Sequence, residues 1–219
     1  MEYPMCTIIL GEGTLACTTG TMIHEVTHSW YQGVLGSNEM QHAWMDEGFT
    51  TYASQECRHA LFGSPLSFEA TYQGYKRTVD KQGEEPAALF SDFNKTNDAY
   101  RTGSYFKGAL LLSQLRYIMG ADVFYKAMRS YYNKWKFQHP EPGDFISVME
   151  HESGMQLKWF MNYWINTTKT IDYSIKAVNV ESQSTQIILE RVGDIPMPFS
   201  VTVYFRNGIR KQVHIALSE

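Results

Sequence analysis

His24-Glu25-Val26-Thr27-His28 is the stretch on which the reading of this chain turns. On a helix, residues four apart share a face, so the two imidazoles of this H-E-x-x-H pattern can reach one ion while Glu25 sits beside it. A match of this length arises by accident in about one chain of this size in a hundred, so two histidines alone do not make a site. The third ligand comes from downstream. Glu47, within Asp46-Glu47-Gly48-Phe49, follows His28 after eighteen intervening residues. That is room to finish one helix, turn at Gly36-Ser37-Asn38 and lay a second helix beside it. His24, His28 and Glu47 then offer two neutral nitrogens and one carboxylate oxygen and leave the fourth tetrahedral position open. This is the donor set of a catalytic zinc, one ion per chain, and not of a closed structural site. Its net charge of about +1 brings a water held there to a pKa of roughly 7. Glu25 is placed to take that water's proton and hand it to a departing amine.

Working outward, Met5 to Ala16 is rich in Thr, Ile and Leu around Gly11-Glu12-Gly13 and predicts a strand or short hairpin. Helical patterning covers Thr21 to Leu35, Ala43 to Phe62, and a third run opened by Ser64-Pro65 and reaching about Gln82. The polar stretch from Gly83 to Thr102 predicts loops. Tyr105 to Met119 is apolar on nearly every side, as a buried helix is, and Gly120 ends it. Asp122 to Phe137, Asp144 to Glu152 and Gln156 to Ile165 predict further helices, and the aromatic run Tyr125, Tyr131, Tyr132, Trp135 and Phe137 predicts core packing. Beyond Asn166 the period becomes two. Tyr173 to Val180, Gln186 to Val192, Phe199 to Phe205 and Lys211 to Leu217 predict strands, with Asn207-Gly208 as a hairpin turn. The expected fold class is α+β: a mainly α-helical domain over residues 1–170 with a small N-terminal β element, then a small antiparallel β domain over residues 171–219.

Composition narrows the partners. The 219 residues are 43% hydrophobic and 19% charged, the balance of a globular chain large enough to bury a core. The formal net charge of -4 lacks the positive excess that phosphate backbones select, so nucleic acid is not expected as a partner. No apolar run reaches the ~18 residues of a membrane helix, and Met1-Glu2-Tyr3-Pro4 is unlike a signal peptide. Cys6, Cys17 and Cys57 are too few and too scattered for a thiolate zinc site; Cys6 and Cys17 would face each other across a hairpin turning at Gly11-Glu12-Gly13. Asn94-Lys95-Thr96 and Asn166-Thr167-Thr168 fit the glycosylation sequon, which matters only in a eukaryotic secretory route.

With these residues in view, the chain resembles the gluzincin aminopeptidases, the zinc peptidase family that includes aminopeptidase N. The resemblance rests on His24-Glu25-x-x-His28, the gap to Glu47, and Trp44-Met45-Asp46-Glu47-Gly48-Phe49-Thr50-Thr51-Tyr52, similar to W-x-N-E-G-F-A-x-Y. It extends to Tyr105-Phe106-Lys107-Gly108-Ala109, like Y-x-K-G-A, to Asp144-Phe145-Ile146, and to Leu157-Lys158-Trp159-Phe160 with Trp164, like W-F-x-x-W. The resemblance implies that Tyr105 donates a hydrogen bond to the oxyanion of the tetrahedral intermediate, a role suited to a phenol that stays protonated at neutral pH. It also implies that Met1-Glu2 is the M-E of a G-x-M-E-N motif, with Tyr3 in place of its asparagine. Glu2 would then bind the free α-amino group of a peptide substrate. Finally, it implies a thermolysin-like helical catalytic domain followed by a β-sandwich, with other domains in a longer natural chain. Three functions remain open at this point: an aminopeptidase, an endopeptidase or glycine-preferring relative on the same core, and a binding module that kept the fold and lost the chemistry.

Overall fold

Thr14 starts the first long helix. Its hydroxyl accepts from the Cys17 backbone N–H at 3.3 Å, the N-cap interaction that satisfies one of a helix's orphan donors. The helix, α1 (Leu15–Thr27), therefore begins well before the expected Thr21 and ends earlier than expected. It stops because the chain folds back on its last turn: Gln32 takes φ 82°, and Gly33 N–H bonds to His28 C=O at 3.0 Å. A Cβ at Gly33 would lie 2.6 Å from Ser29 O, so that turn excludes every side chain. The computed structural model describes residues 1–10 and 13–217.

The N-terminal hairpin differs from expectation. Strands β1 (Glu2–Tyr3) and β2 (Cys6–Thr7) pair antiparallel across Pro4-Met5, while Leu15 and Ala16 belong to α1. Gly11 and Glu12, where the turn was expected, lie outside the described residues. Cys17 is thus on a helix and not on a partner strand, and Cys6, Cys17 and Cys57 are all free thiols.

The chain separates into two compact units, Met1–Thr168 and Lys169–Glu219. In the first, a π-helical turn Trp44–Gly48 leads into α2 (Phe49–Phe62), which ends at Gly63 in the left-handed region, φ 64°. Helix α3 (Glu69–Val79) opens later than Ser64-Pro65 suggested: Ser67 Oγ accepts from Glu69 N–H, and the Phe68 ring stacks on Tyr52 at 4.9 Å. The polar stretch contains a 3-10 turn (Ser91–Phe93) and α4 (Asn97–Arg101). A second π-helical turn, Thr102–Lys107, then runs into α5 (Gly108–Met119). Helices α6 (Ala121–Trp135), α7 (Pro142–Ser153) and α8 (Lys158–Asn166) complete the unit.

The core gathers around Phe49, whose ring meets those of Tyr31, Trp44, Tyr131 and Phe145 edge-on. Leu111, Leu112 and Leu115 of α5, Phe124 of α6 and Phe160 of α8 have no solvent exposure. Burial of this kind contributes roughly 1.5–3 kcal/mol per large side chain, and it fixes the helices from which the candidate site is built. Of the aromatic run expected in the core, Phe137 is a correction. It follows the end of α6 with φ 61° and is 81% exposed.

In the second unit β3 (Tyr173–Val180) pairs antiparallel with β4 (Thr185–Arg191), and β5 (Phe199–Tyr204) with β6 (Arg210–Ile215), each as a two-stranded sheet. The last hairpin turns at Asn207-Gly208, with Gly208 at φ 84°. Tyr173 packs on Phe199 at 4.2 Å, and Ile195 and Met197 are buried. The chain is α+β.

Candidate active site

Two crossing backbones set the geometry. Gly48, at the end of the first π turn, and Gly108, just past the second, approach so closely that a Cβ on either would lie 2.6–2.8 Å from the other's Cα. Only paired glycines permit that contact. It brings Glu47, one residue before Gly48, within reach of Tyr105, three residues before Gly108. The Tyr105 hydroxyl donates to Glu47 Oε1 in a short hydrogen bond.

Opposite this crossing, the last turn of α1 presents His24 and the residue that caps it, His28. His24 Nε2, His28 Nε2 and Glu47 Oε2 form a triangle with sides of 3.2, 3.0 and 3.3 Å. Four ligands 2.0–2.1 Å from a tetrahedral ion are separated by about 3.3 Å, so the triangle has the dimensions of one face of such a site. The residues fit a divalent ion. The His24 ring also lies nearly parallel to that of Tyr105, with centroids 5.7 Å apart and planes at 17°.

Glu25 and Glu2 join the same cluster. Oxygens of both carboxylates and a ring nitrogen of His28 lie within 4.8 Å of one another. They line a cleft of about 400 Å³ between α1 and the N-terminal hairpin, together with Ser29, Gln32 and residues 3–7. The Met1 ammonium lies 2.5 Å from Glu25 Oε2 and 3.6 Å from Glu2 Oε2. All six residues singled out from the sequence, His24, Glu25, His28, Glu47, Tyr105 and Glu2, therefore meet in one place. Tyr105 differs in one respect: its hydroxyl is engaged by Glu47 and not directed at open space.

Two neighbours were not foreseen. Asp46 Oδ1 lies 2.8 Å from His28 Nδ1, and Thr50 Oγ1 lies 3.2 Å from the same nitrogen. The only sequence signal for Asp46 is its place beside Glu47, and an ordinary helical turn would aim the two apart.

The electrostatics follow from burial and proximity. Burial tends to lower the pKa of His28, but the Asp46 and Glu47 carboxylates on its two nitrogens carry it up to about 10. Burial would raise Glu47; hydrogen bonds from His24, His28 and Tyr105 instead hold it down at about 2. Asp46 is pushed up to about 6, chiefly by burial and against the pull of His28. Burial, then the charge of Glu47, drives the Tyr105 phenol far above its ordinary value, so it remains a donor at any working pH.

The chain is 27% identical over 154 residues to aminopeptidase N of Streptomyces lividans, covering 67% of this chain and 18% of that protein. It is 27% identical over 194 residues to aminopeptidase B of Rattus norvegicus, covering 76% and 29%. Among solved structures it is similar to an M1 zinc metallopeptidase from Deinococcus radiodurans, with TM-score 0.56 and 20% identity over 67% of this chain and 32% of that one. It is also similar to Legionella pneumophila aminopeptidase A, with TM-score 0.62 and 16% identity over 90% and 23%. The chain spans less than a third of the length of each of these relatives. The sequence model described as the peptidase family M1 domain matches residues 14–164, from the N-cap of α1 through α8, and the chain belongs to that family.

Proposed function

We propose that this chain carries the catalytic core of a zinc aminopeptidase. His24, His28 and Glu47 are its metal ligands, Glu25 its general base, Tyr105 its oxyanion donor and Glu2 its anchor for the substrate's amine. The observation that carries the reading is the triangle of 3.0–3.3 Å formed by three ligand atoms, with Glu25 and Glu2 on the same cleft. The relatives' names, aminopeptidase and zinc metallopeptidase, support the same assignment.

Bound zinc would supply a Lewis acid that polarises the scissile carbonyl and lowers the pKa of an attacking water to roughly 7. The chain's own residues account for the rest. Glu25 accepts the water's proton and returns it to the leaving amine. Tyr105 exchanges its bond to Glu47 for one to the developing oxyanion, so its donor is used where charge appears. Glu2 and Glu25 together accommodate an ammonium, as their contacts with the Met1 amine illustrate, and this favours substrates with a free N-terminus.

On this reading the helical unit follows the plan of thermolysin's catalytic half, and the boundary falls near residue 170. The two C-terminal hairpins are then the halves of a small β-sandwich. Ile187, Leu189, Val201, Val203, Val213 and Ile215 line a common cleft of about 770 Å³, which supports that pairing. Choice of the side chain at the cleaved bond belongs to further domains of a longer protein.

The test is turnover of one peptide with a free and with an N-acetylated N-terminus, run beside the Glu25→Gln variant. The proposal expects cleavage of the free peptide alone and a loss of about 10²–10⁴-fold in the variant. Equal cleavage of both peptides would make it an endopeptidase. Full turnover by Glu25→Gln would remove the proposed mechanism.

A further inference from the structure

We propose that Lys107 is a positioning residue for Tyr105: its buried pairing with Glu84 holds the second π-helical turn in the winding that keeps the phenol beside Glu47. The inference rests on the aminopeptidase reading above and goes beyond the residues which that reading assigns.

The turn Thr102–Lys107 carries Tyr105, and its hydrogen bonds span one residue more than those of α5, which follows it. An α-helix is the ordinary alternative for such a segment. Rewinding the turn would swing Tyr105 away from Glu47, since each side chain's direction follows the winding. What selects the wide turn therefore lies outside its own backbone, and three tethers are in place. The Thr102 hydroxyl donates to Thr78 Oγ1 of α3 at 2.9 Å. Phe106 fills the space beside Gly74 of α3, where a Cβ would lie 2.7 Å from its ring. Lys107 closes the turn: its ammonium donates to Glu84 Oε1 at 2.5 Å and to Thr167 C=O at 2.7 Å.

Lys107 is 1% exposed and the Glu84 side chain 5%. An apolar pair of similar volume would serve stability as well, so what the ion pair adds is direction, because hydrogen bonds are oriented and apolar contacts are not. Its acceptor is itself held, with the Tyr75 hydroxyl of α3 at 3.2 and 3.3 Å from the two Glu84 oxygens. Lys107 is thereby fixed between α3, the segment after it and the end of α8. It directly precedes Gly108, which crosses Gly48, and it lies two residues past Tyr105. The Tyr105 ring stacks on His24 with centroids 5.7 Å apart, and its hydroxyl donates to Glu47. A displacement of about 1 Å would cost an oxyanion donor much of its effect.

The test is a mutant cycle that combines Glu84→Leu with Lys107→Met, an apolar replacement of the ion pair, and crosses it with Tyr105→Phe. Circular dichroism checks folding, and metal analysis checks zinc content. The proposal expects the ion-pair variant to keep KM and zinc within about twofold of the parent and to lose about 10–10²-fold in kcat. In the Tyr105→Phe background the same change should cost no more than about twofold, because the group being placed is gone. A kcat within about twofold of the parent would overturn the proposal, and so would an equal loss in both backgrounds, which marks a general disturbance. A second readout needs neither metal nor turnover. With tyrosines isotope-labelled, the NMR resonance of Tyr105 Cζ, assigned by its absence from Tyr105→Phe, should shift in the metal-free ion-pair variant; an unmoved resonance would overturn the proposal. If that variant does not fold, the near-isosteric Glu84→Gln goes through both measurements and is judged by the same results. A parent chain that binds zinc and turns over no peptide would sink the aminopeptidase reading, and the resonance then decides the positioning role alone.

Discussion

Tyr105 is the residue whose present contact and proposed task differ most. Its hydroxyl is spent on Glu47, and in catalysis it would turn to the oxyanion. Tyr105→Phe should therefore lower kcat by about 10²–10³-fold while KM, zinc content and folding change little, as steady-state kinetics and metal analysis would reveal. An equal loss of zinc would mean that the phenol serves Glu47 instead. His28 makes a prediction about pH. Its folded pKa, about 10, lies above its ordinary 6.5, so its proton stabilises the metal-free chain fully below pH 6.5 and that contribution fades as pH rises towards 10. Glu47, near 2, finishes titrating below this window, and Asp46, near 6, completes its titration at the window's lower edge. Thermal melts from pH 6.5 to 10 should show the gap between zinc-loaded and metal-free protein widening with pH, since the ion takes the place of that proton. A constant gap would contradict the assignment.

The two π turns matter most among the elements, because each delivers a site residue and the two cross at Gly48 and Gly108. Gly108→Ala would drive a methyl into the Gly48 backbone; we expect a loss of about 1–3 kcal/mol in denaturant titration, with weaker zinc binding as Glu47 shifts. Lys107, in the second turn, is buried against Glu84 at 2.5 Å and against Thr167 C=O at 2.7 Å. Burial lowers the Lys107 pKa and raises that of Glu84, which marks the ion pair as costly to bury. Glu84→Gln alone should destabilise by about 3–5 kcal/mol, whereas Glu84→Leu with Lys107→Met should cost less by the same titration, the remaining loss coming from the Tyr75 hydroxyl that donates to Glu84. These elements also divide what the sequence revealed from what it concealed. The strand Tyr173–Val180 was legible residue for residue because period-two alternation is a local property. Helix α2 was legible from Ala43 to Phe62, but its π-helical first turn was not, because that turn depends on a backbone 60 residues away. The early start of α1 lay behind a single signal, the Thr14 cap, and was masked by residues that also suit a strand.

For the whole molecule, the six residues chosen from sequence converge because ligand spacing and catalytic chemistry are constrained tightly enough to be written in short motifs. Asp46 escaped notice because its place against His28 depends on how one turn is wound. The family match covers residues 14–164, and the relatives continue far beyond the length of this chain, so substrate choice was never legible here. The ion itself can be examined directly. X-ray absorption at the zinc edge of the loaded chain should give one zinc with two imidazole nitrogens and one carboxylate oxygen at about 2.0–2.2 Å, plus one light ligand from solvent. His28→Ala should abolish that signal. A zinc bound by sulfur, or a spectrum unchanged in His28→Ala, would contradict the account.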